Sequence, residues 1–447
     1  MPLPSPAPAP LEGVPEALAS LAAATPSPLQ HFTLENGLSV YLRQQYGTSL
    51  AAVQLWYHVG TSHEPAGHTN LSHLLEHLIF EGSSKLAAGD YSRVVARLGG
   101  RANASTRLDA TAYEISLPVT RLPVALEIMA DAMHSATFDA SDLARAAKAI
   151  VDERRLKLDT QPAQQALDHH QALAHGNSPY AAPSFGNAAD LGSLDLQQLR
   201  TWYRTWYRPS NATLVVVGDI DLATLRGPVD KYFSPLISGP VTDCPAPRHD
   251  DALRARTHTV SLPGLAHGLF MTFNVPGCAT APDETTTAAL ELIGELLGQG
   301  ASSWLYSELV RDQRVLTGVR VNYDPLVRGD TLLTVAAYVN TTHATPEQAA
   351  EAVYQQIDQL RSLTLLSSEL QHLKLGMLAR RLFTLEDPAS QAERIGSVAA
   401  AGQPASLIDS EAARLVAIDA STLQQVANTY LGRERLTITF LRPGAQA

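Results

Sequence analysis

The chain has 447 residues, of which 45% are hydrophobic and 17% charged, with a formal net charge of −11. That length predicts two to three domains and that composition excludes a disordered chain. The acidic balance argues against nucleic acid and anionic membrane as partners, and no apolar run reaches the roughly 18 residues of a membrane span.

In chain order, residues 1–28 ("MPLPSPAPAPLEGVPEALASLAAATPSP") lack the basic and apolar regions of a signal peptide and read as an extended Pro/Ala-rich lead-in. Such tracts also follow a cleaved signal. A domain over 29–237 comes next, with β-branched and apolar runs at "LSVYL", "LAAVQLWYHV", "ATAYEISL" and "TLVVVG" that predict strands.

Between them, "HTNLSHLLEHLIFEGSSK" predicts a helix. Asn70 is its N-cap, Leu71, Leu74, Leu75, Leu78 and Ile79 form its apolar stripe, and Gly82 stops it. His73 and His77 lie one turn apart on one face, with Glu76 beside them. Taken alone, these residues fit a zinc helix and a solvated polar face equally well. A zinc site needs a third protein ligand, and the helical pattern over 141–158 offers Glu153.

The Pro- and Asp-rich stretch 238–256 reads as a linker to a second domain, 257–447, with strand patterns at "HGLFMTFNV", "TLLTVAAYV" and "LTITFL". The chain also repeats itself. "RRLKLDTQPAQQA" (154–166) recurs 226 positions later as "RRLFTLEDPASQA" (380–392), and 194–217 resembles 418–441. The prediction is an α+β fold of two duplicated domains, each a mixed, mostly antiparallel sheet covered by helices. The second copy has Ala379 where the first has Glu153 and carries no H-x-x-E-H, which confines the chemistry to the first copy. Two cysteines, Cys244 and Cys278, exclude a cysteine-built zinc site and leave one bridge or two thiols open. His63, His68, His169, His170 and His175 show no ligand spacing and read as surface residues.

From about residue 30 to 442 the sequence resembles the pitrilysin/insulinase family of zinc peptidases, the inverzincins. "TLENGLSVYL", "HVGTSHEP", "GHTNLSHLLEHLIFEG" and "NASTRLDATAYEISLP" follow the family's segments in order. The resemblance implies a clamshell of two domains around a peptide, with zinc held by His73, His77 and Glu153 and with Glu76 as general base. It also implies that Asn103 and Ala104 lie on an edge strand that binds extended substrate.

Three positions depart from the family. Its second glutamate is Ala146 here, with Lys148 nearby. The arginine and tyrosine that its second domain sends to substrate are Trp304 and Gly318, with Tyr323 close by in sequence. The resemblance therefore implies a zinc-bearing subunit whose homologous partner supplies the Arg/Tyr pair, as a heterodimer. Related two-subunit bacterial enzymes imply a periplasmic setting, with the cytoplasm as the alternative. Two other functions fit the same resemblance: a processing peptidase acting at defined sites, and a non-catalytic scaffold. The intact metal set argues against the scaffold.

Overall fold

Seven apolar runs of the sequence become the interior strands of two sheets, and more polar segments become their edges. The computed structural model describes residues 14–23, 26–240, 242–249, 253–362 and 365–445. The first sheet contains β1 (Leu29–Thr33), β2 (Ser39–Gln44), β3 (Leu50–Tyr57), β4 (Arg101–Thr106), β5 (Thr111–Pro118) and β6 (Ala212–Gly218), in spatial order β1-β2-β6-β3-β5-β4. The second contains β7 (Arg256–Leu262), β8 (Gly268–Val275), β9 (Leu316–Tyr323), β10 (Thr331–Val339) and β11 (Leu436–Pro443), in order β7-β11-β8-β10-β9. Matching β2 to β7 makes the two orders identical, with β1 as an addition to the first.

Each sheet is mixed in the same way. The pairs β2–β6 and β7–β11 run parallel, and all other pairs are antiparallel. Strands β6 and β8 are buried along their whole length, so they read as continuous apolar runs instead of alternating ones. The architecture is two α+β domains, their sheets covered by helices.

Six helices carry the argument: α1 (Val14–Ala23), α2 (Leu71–Leu78), α3 (Ala140–Arg154), α4 (Pro162–His175), α5 (Ser367–Glu386) and α6 (Pro388–Ala400). On α2, Leu71, Leu74, Leu75 and Leu78 are at most 3% exposed and pack into the first core. Each such burial contributes about 1.5–3 kcal/mol. Helix α1 corrects the expected extended lead-in: Leu18, Leu21 and Ala22, at helical spacing, pack into the second core. Residues 1–13 and 24–25 lie outside the described residues.

The duplication has a consequence in three dimensions. Helices α4 and α6 begin at repeat-related prolines, Pro162 and Pro388, and each packs on the other domain's sheet. Ala166 of α4 joins Phe270 and Leu441 of the second sheet. Ala392 and Ile395 of α6 pack against Ala52, Trp56 and Val215 of the first. Gly396 is required there, because a Cβ would meet Trp56 Nε1 at 2.0 Å. The carboxylate of Asp109 adds a polar tie, accepting from the Ser62 hydroxyl at 2.8 Å, the Tyr180 hydroxyl, and the Arg328 main-chain N–H at 2.8 Å.

The exchange also corrects the reading of the histidines as surface residues. His170 is fully buried, its ring nitrogens 2.6 Å from Thr272 Oγ1 and 2.8 Å from Thr439 Oγ1. His175 is buried as well and His63 and His68 are half-buried, leaving His169 exposed. Cys244 and Cys278 are free thiols. Among the described residues no helix is long and apolar enough to cross a membrane.

Candidate metal centre

The helix that carries both histidines begins at Asn70, but Asn70 does not cap it with its side chain. Its backbone is left-handed, at φ 78°, and its side chain makes no capping hydrogen bond. The Glu64 carboxylate does that work from outside the helix, accepting from Asn70 N at 2.8 Å and from Ser72 N at 2.7 Å. A carboxylate satisfies the orphan N–H groups there and complements the positive end of the helix dipole. With the leucine stripe turned into the core, His73 and His77 face outward together, their ring centroids 5.1 Å apart.

Glu153 arrives from the last turn of α3. Asp139 caps that helix by accepting from Ser141 N and Asp142 N. Ala146 and Ile150 anchor one side of it in the first core, which aims Glu153 at α2. The position of the family's second glutamate is thus a buried alanine. Lys148 does not take over its place; it pairs at 2.6 Å with Asp152.

The structure brings the three side chains together. Glu153 Oε2 lies 3.4 Å from His73 Nε2 and 3.8 Å from His77 Nε2. All three offer ligand atoms within 4.8 Å of one another. Ligands about 2.0–2.2 Å from a tetrahedral zinc ion are about 3.3–3.6 Å apart, and the two carboxylate–imidazole distances lie in or near that range. The donor chemistry suits it too. Burial, followed by the neighbouring His77, lowers His73 to about 4, and burial lowers His77 as well, so both imidazoles keep a free lone pair at neutral pH. Burial alone pushes Glu153 up, but the Lys157 hydrogen bond and the two histidines hold it below its ordinary value, as an anion.

Glu76 faces the same cleft. Burial pushes its carboxyl up to about 7 against the opposing effect of the Thr106 hydroxyl, which donates to Oε2. A carboxyl titrating near neutral pH is suited to take and return a proton. Strand β4 forms the facing wall, where Ala104 and Thr106 line a cleft of about 250 Å³ with Phe185 opposite. It has a neighbour on one side only, so its outer edge is open. Asn103 and Ala104 lie on this edge strand, with Asn103 exposed.

A larger cavity, about 670 Å³, lies between the domains beyond Arg107 and contains none of these four groups. The chemistry selects the smaller cleft. In the second domain Trp304 packs against the core, and the Tyr323 hydroxyl donates to Pro276 O at 2.7 Å. Gly318 lies opposite Tyr338 on β10. Glu64, Thr106 and Lys157 are contributors that the sequence reading left unassigned. Their signals were the quoted "HVGTSHEP" and "NASTRL" segments and the i,i+4 spacing from Glu153 to Lys157.

Comparisons with known proteins give the chain's family. Residues 39–187 match the family profile described as insulinase (peptidase family M16), and residues 193–376 match the peptidase M16 inactive domain. The zinc protease PqqE of Helicobacter pylori is 28% identical over 423 residues, covering 92% of each chain. The crystal structure of a protease from Helicobacter pylori superposes with a TM-score of 0.87 at 26% identity, covering 94% of this chain and all of that one. Pitrilysin, at 20% identity, shares the fold with a TM-score of 0.73, and this chain spans 45% of its length. The protein belongs to the insulinase family of peptidases, M16.

Proposed function

We propose that this chain is the zinc-bearing subunit of a metalloendopeptidase that hydrolyses peptides or unfolded segments enclosed between domains. One observation carries the reading: two imidazoles and a carboxylate offer ligand atoms within 4.8 Å of one another, with a carboxyl of near-neutral pKa beside them. His73, His77 and Glu153 would hold zinc, which supplies Lewis acidity toward the scissile carbonyl. Glu76 takes a proton from the attacking water and returns it to the leaving nitrogen, a role worth about 10²–10⁴-fold in rate. The Thr106 hydroxyl occupies Glu76 Oε2, which leaves Oε1 to move the proton. Asn103 and Ala104 hold the peptide extended by adding it as a strand to the open edge of β4.

The partner is part of the proposal. Trp304 and Gly318 leave this chain without the family's Arg/Tyr pair, and a homologous subunit carrying that pair would complete the cleft as a heterodimer. The likeness to less than half of pitrilysin supports a two-chain arrangement. The experiment is metal analysis and peptide cleavage of the purified chain, with and without a co-expressed homologous subunit, beside Glu76→Gln. The expected result is about one zinc per chain, poor cleavage alone, full cleavage with the partner, and none from the zinc-loaded variant. Full activity of the isolated chain on several peptides would sink the heterodimer, and unchanged activity of Glu76→Gln would sink the mechanism.

A further inference from the structure

Glu153 uses its two oxygens differently. Oε2 faces both imidazoles, whereas Oε1 accepts a hydrogen bond from Lys157 Nζ at 2.5 Å. Directly after α3 the chain changes from α-helix to one turn of π-helix over Arg155–Asp159, closed by Thr160 N–H donating to Arg155 O at 3.0 Å. π-turns inside α-helices are frequent at functional sites. Lys157 also lines the same cleft as His73 and Glu76.

The internal repeat provides a comparison within the molecule. At an offset of 226, Glu153 corresponds to Ala379 and Lys157 to Phe383. The second copy runs there as unbroken α-helix, Ser367–Glu386. The carboxylate, the cation and the helical register therefore differ together between the copies. A plain surface ion pair accounts for the Lys157 contact alone, since the side chain is 66% exposed and such pairs contribute about 0–1 kcal/mol. It does not account for the joint change.

We infer that Lys157 is a positioning residue: its ammonium group occupies Glu153 Oε1 and leaves Oε2 as the single oxygen offered to the ion held with His73 and His77. A carboxylate free to bind through both oxygens would occupy a coordination position that catalytic zinc keeps open. The inference rests on the zinc reading above and is tested separately from it.

The test compares the full-length chain with Lys157→Met, Lys157→Arg and Lys148→Met. The last removes a more exposed i,i+4 ion pair whose residues do not line the cleft. Zinc affinity is measured by competition with a chromophoric chelator, and ligand geometry by the visible spectrum of the Co²⁺-substituted protein. Lys157→Met is expected to change zinc affinity by up to roughly 10–100-fold, the usual size of effect for an outer partner of a metal ligand. Its cobalt absorption should also fall, because four-coordinate cobalt absorbs more strongly than five-coordinate. Lys157→Arg should retain both properties and Lys148→Met should change neither. Unchanged affinity and spectrum in Lys157→Met, or equal changes in Lys148→Met, would overturn the inference. A parent chain that fails to bind zinc would defeat the zinc reading itself, and this inference with it.

Discussion

Gly396→Ala tests whether the exchanged helices hold the two domains together. The added methyl would sit 2.0 Å from Trp56 Nε1, 2.2 Å from Cε2 and 2.5 Å from Cδ1. Trp56 cannot retreat easily: it is 0% exposed, and its Nε1 donates to Gln54 Oε1 at 2.9 Å. Relief to ordinary contact, near 3.5 Å, needs α6 to lift off the first sheet by roughly 1.5 Å. Overpacking of this kind costs about 1–3 kcal/mol, and this contact belongs at the upper end. Replacing a mid-helix glycine by alanine returns about 1 kcal/mol. The net expectation is a loss of about 1–2 kcal/mol.

At about 2–4 °C per kcal/mol for a domain of this size, that loss lowers Tm by several degrees. Gly376→Ala is the control. It is also within a helix, but its new Cβ meets only Arg380 Nη1 at 3.9 Å, so the propensity gain of about 0.5–1 kcal/mol should appear undiminished. Differential scanning calorimetry on both variants decides the matter. If Gly396→Ala melts at or above the parent while Gly376→Ala behaves as stated, the close contact of α6 with Trp56 is wrong.

Glu153→Ala should lose zinc by more than the 10–100-fold typical of an outer partner while keeping the parent's Tm in chelator, since the side chain is partly exposed. Elemental analysis and calorimetry check it, and stoichiometric zinc in the variant would refute the ligand assignment. His170 predicts a pH dependence of stability. Burial lowers its folded pKa from 6.5 to about 3, so the unfolded chain takes up this proton first as pH falls. The contribution is complete above about pH 6.5 and is lost progressively down to about pH 3, the loss reaching about 2 kcal/mol at pH 5. Urea midpoints at pH 7 and 5 should therefore differ less for His170→Gln than for the parent. Equal differences would refute its burial as a neutral ring.

The strands legible in the sequence were the interior ones: β2, β3, β5, β6, β8, β10 and β11. Strands buried between layers must be apolar and β-branched along much of their length, and that composition is visible residue by residue. The four edge strands, β1, β4, β7 and β9, mix polar and apolar residues because one side has no neighbour. The segment "RANAST" does not read as a strand by pattern, and only the family resemblance pointed to it.

The H-x-x-E-H spacing and the repeat were local properties of the chain, so the sequence by itself determined the two-domain duplication, the histidine pair and the candidate third ligand. Other features depend on how the backbone turns and packs and were decided by the three-dimensional structure. Glu64 caps the helix that Asn70 begins, and Lys157 divides the oxygens of Glu153 through a change in helical register. His170 read as a surface residue because it shows no ligand spacing in the sequence. It is buried because the helix crosses to the other domain, whose sheet needs a cover. A sequence displays which faces are apolar; which partner covers each face is settled only when the whole chain packs.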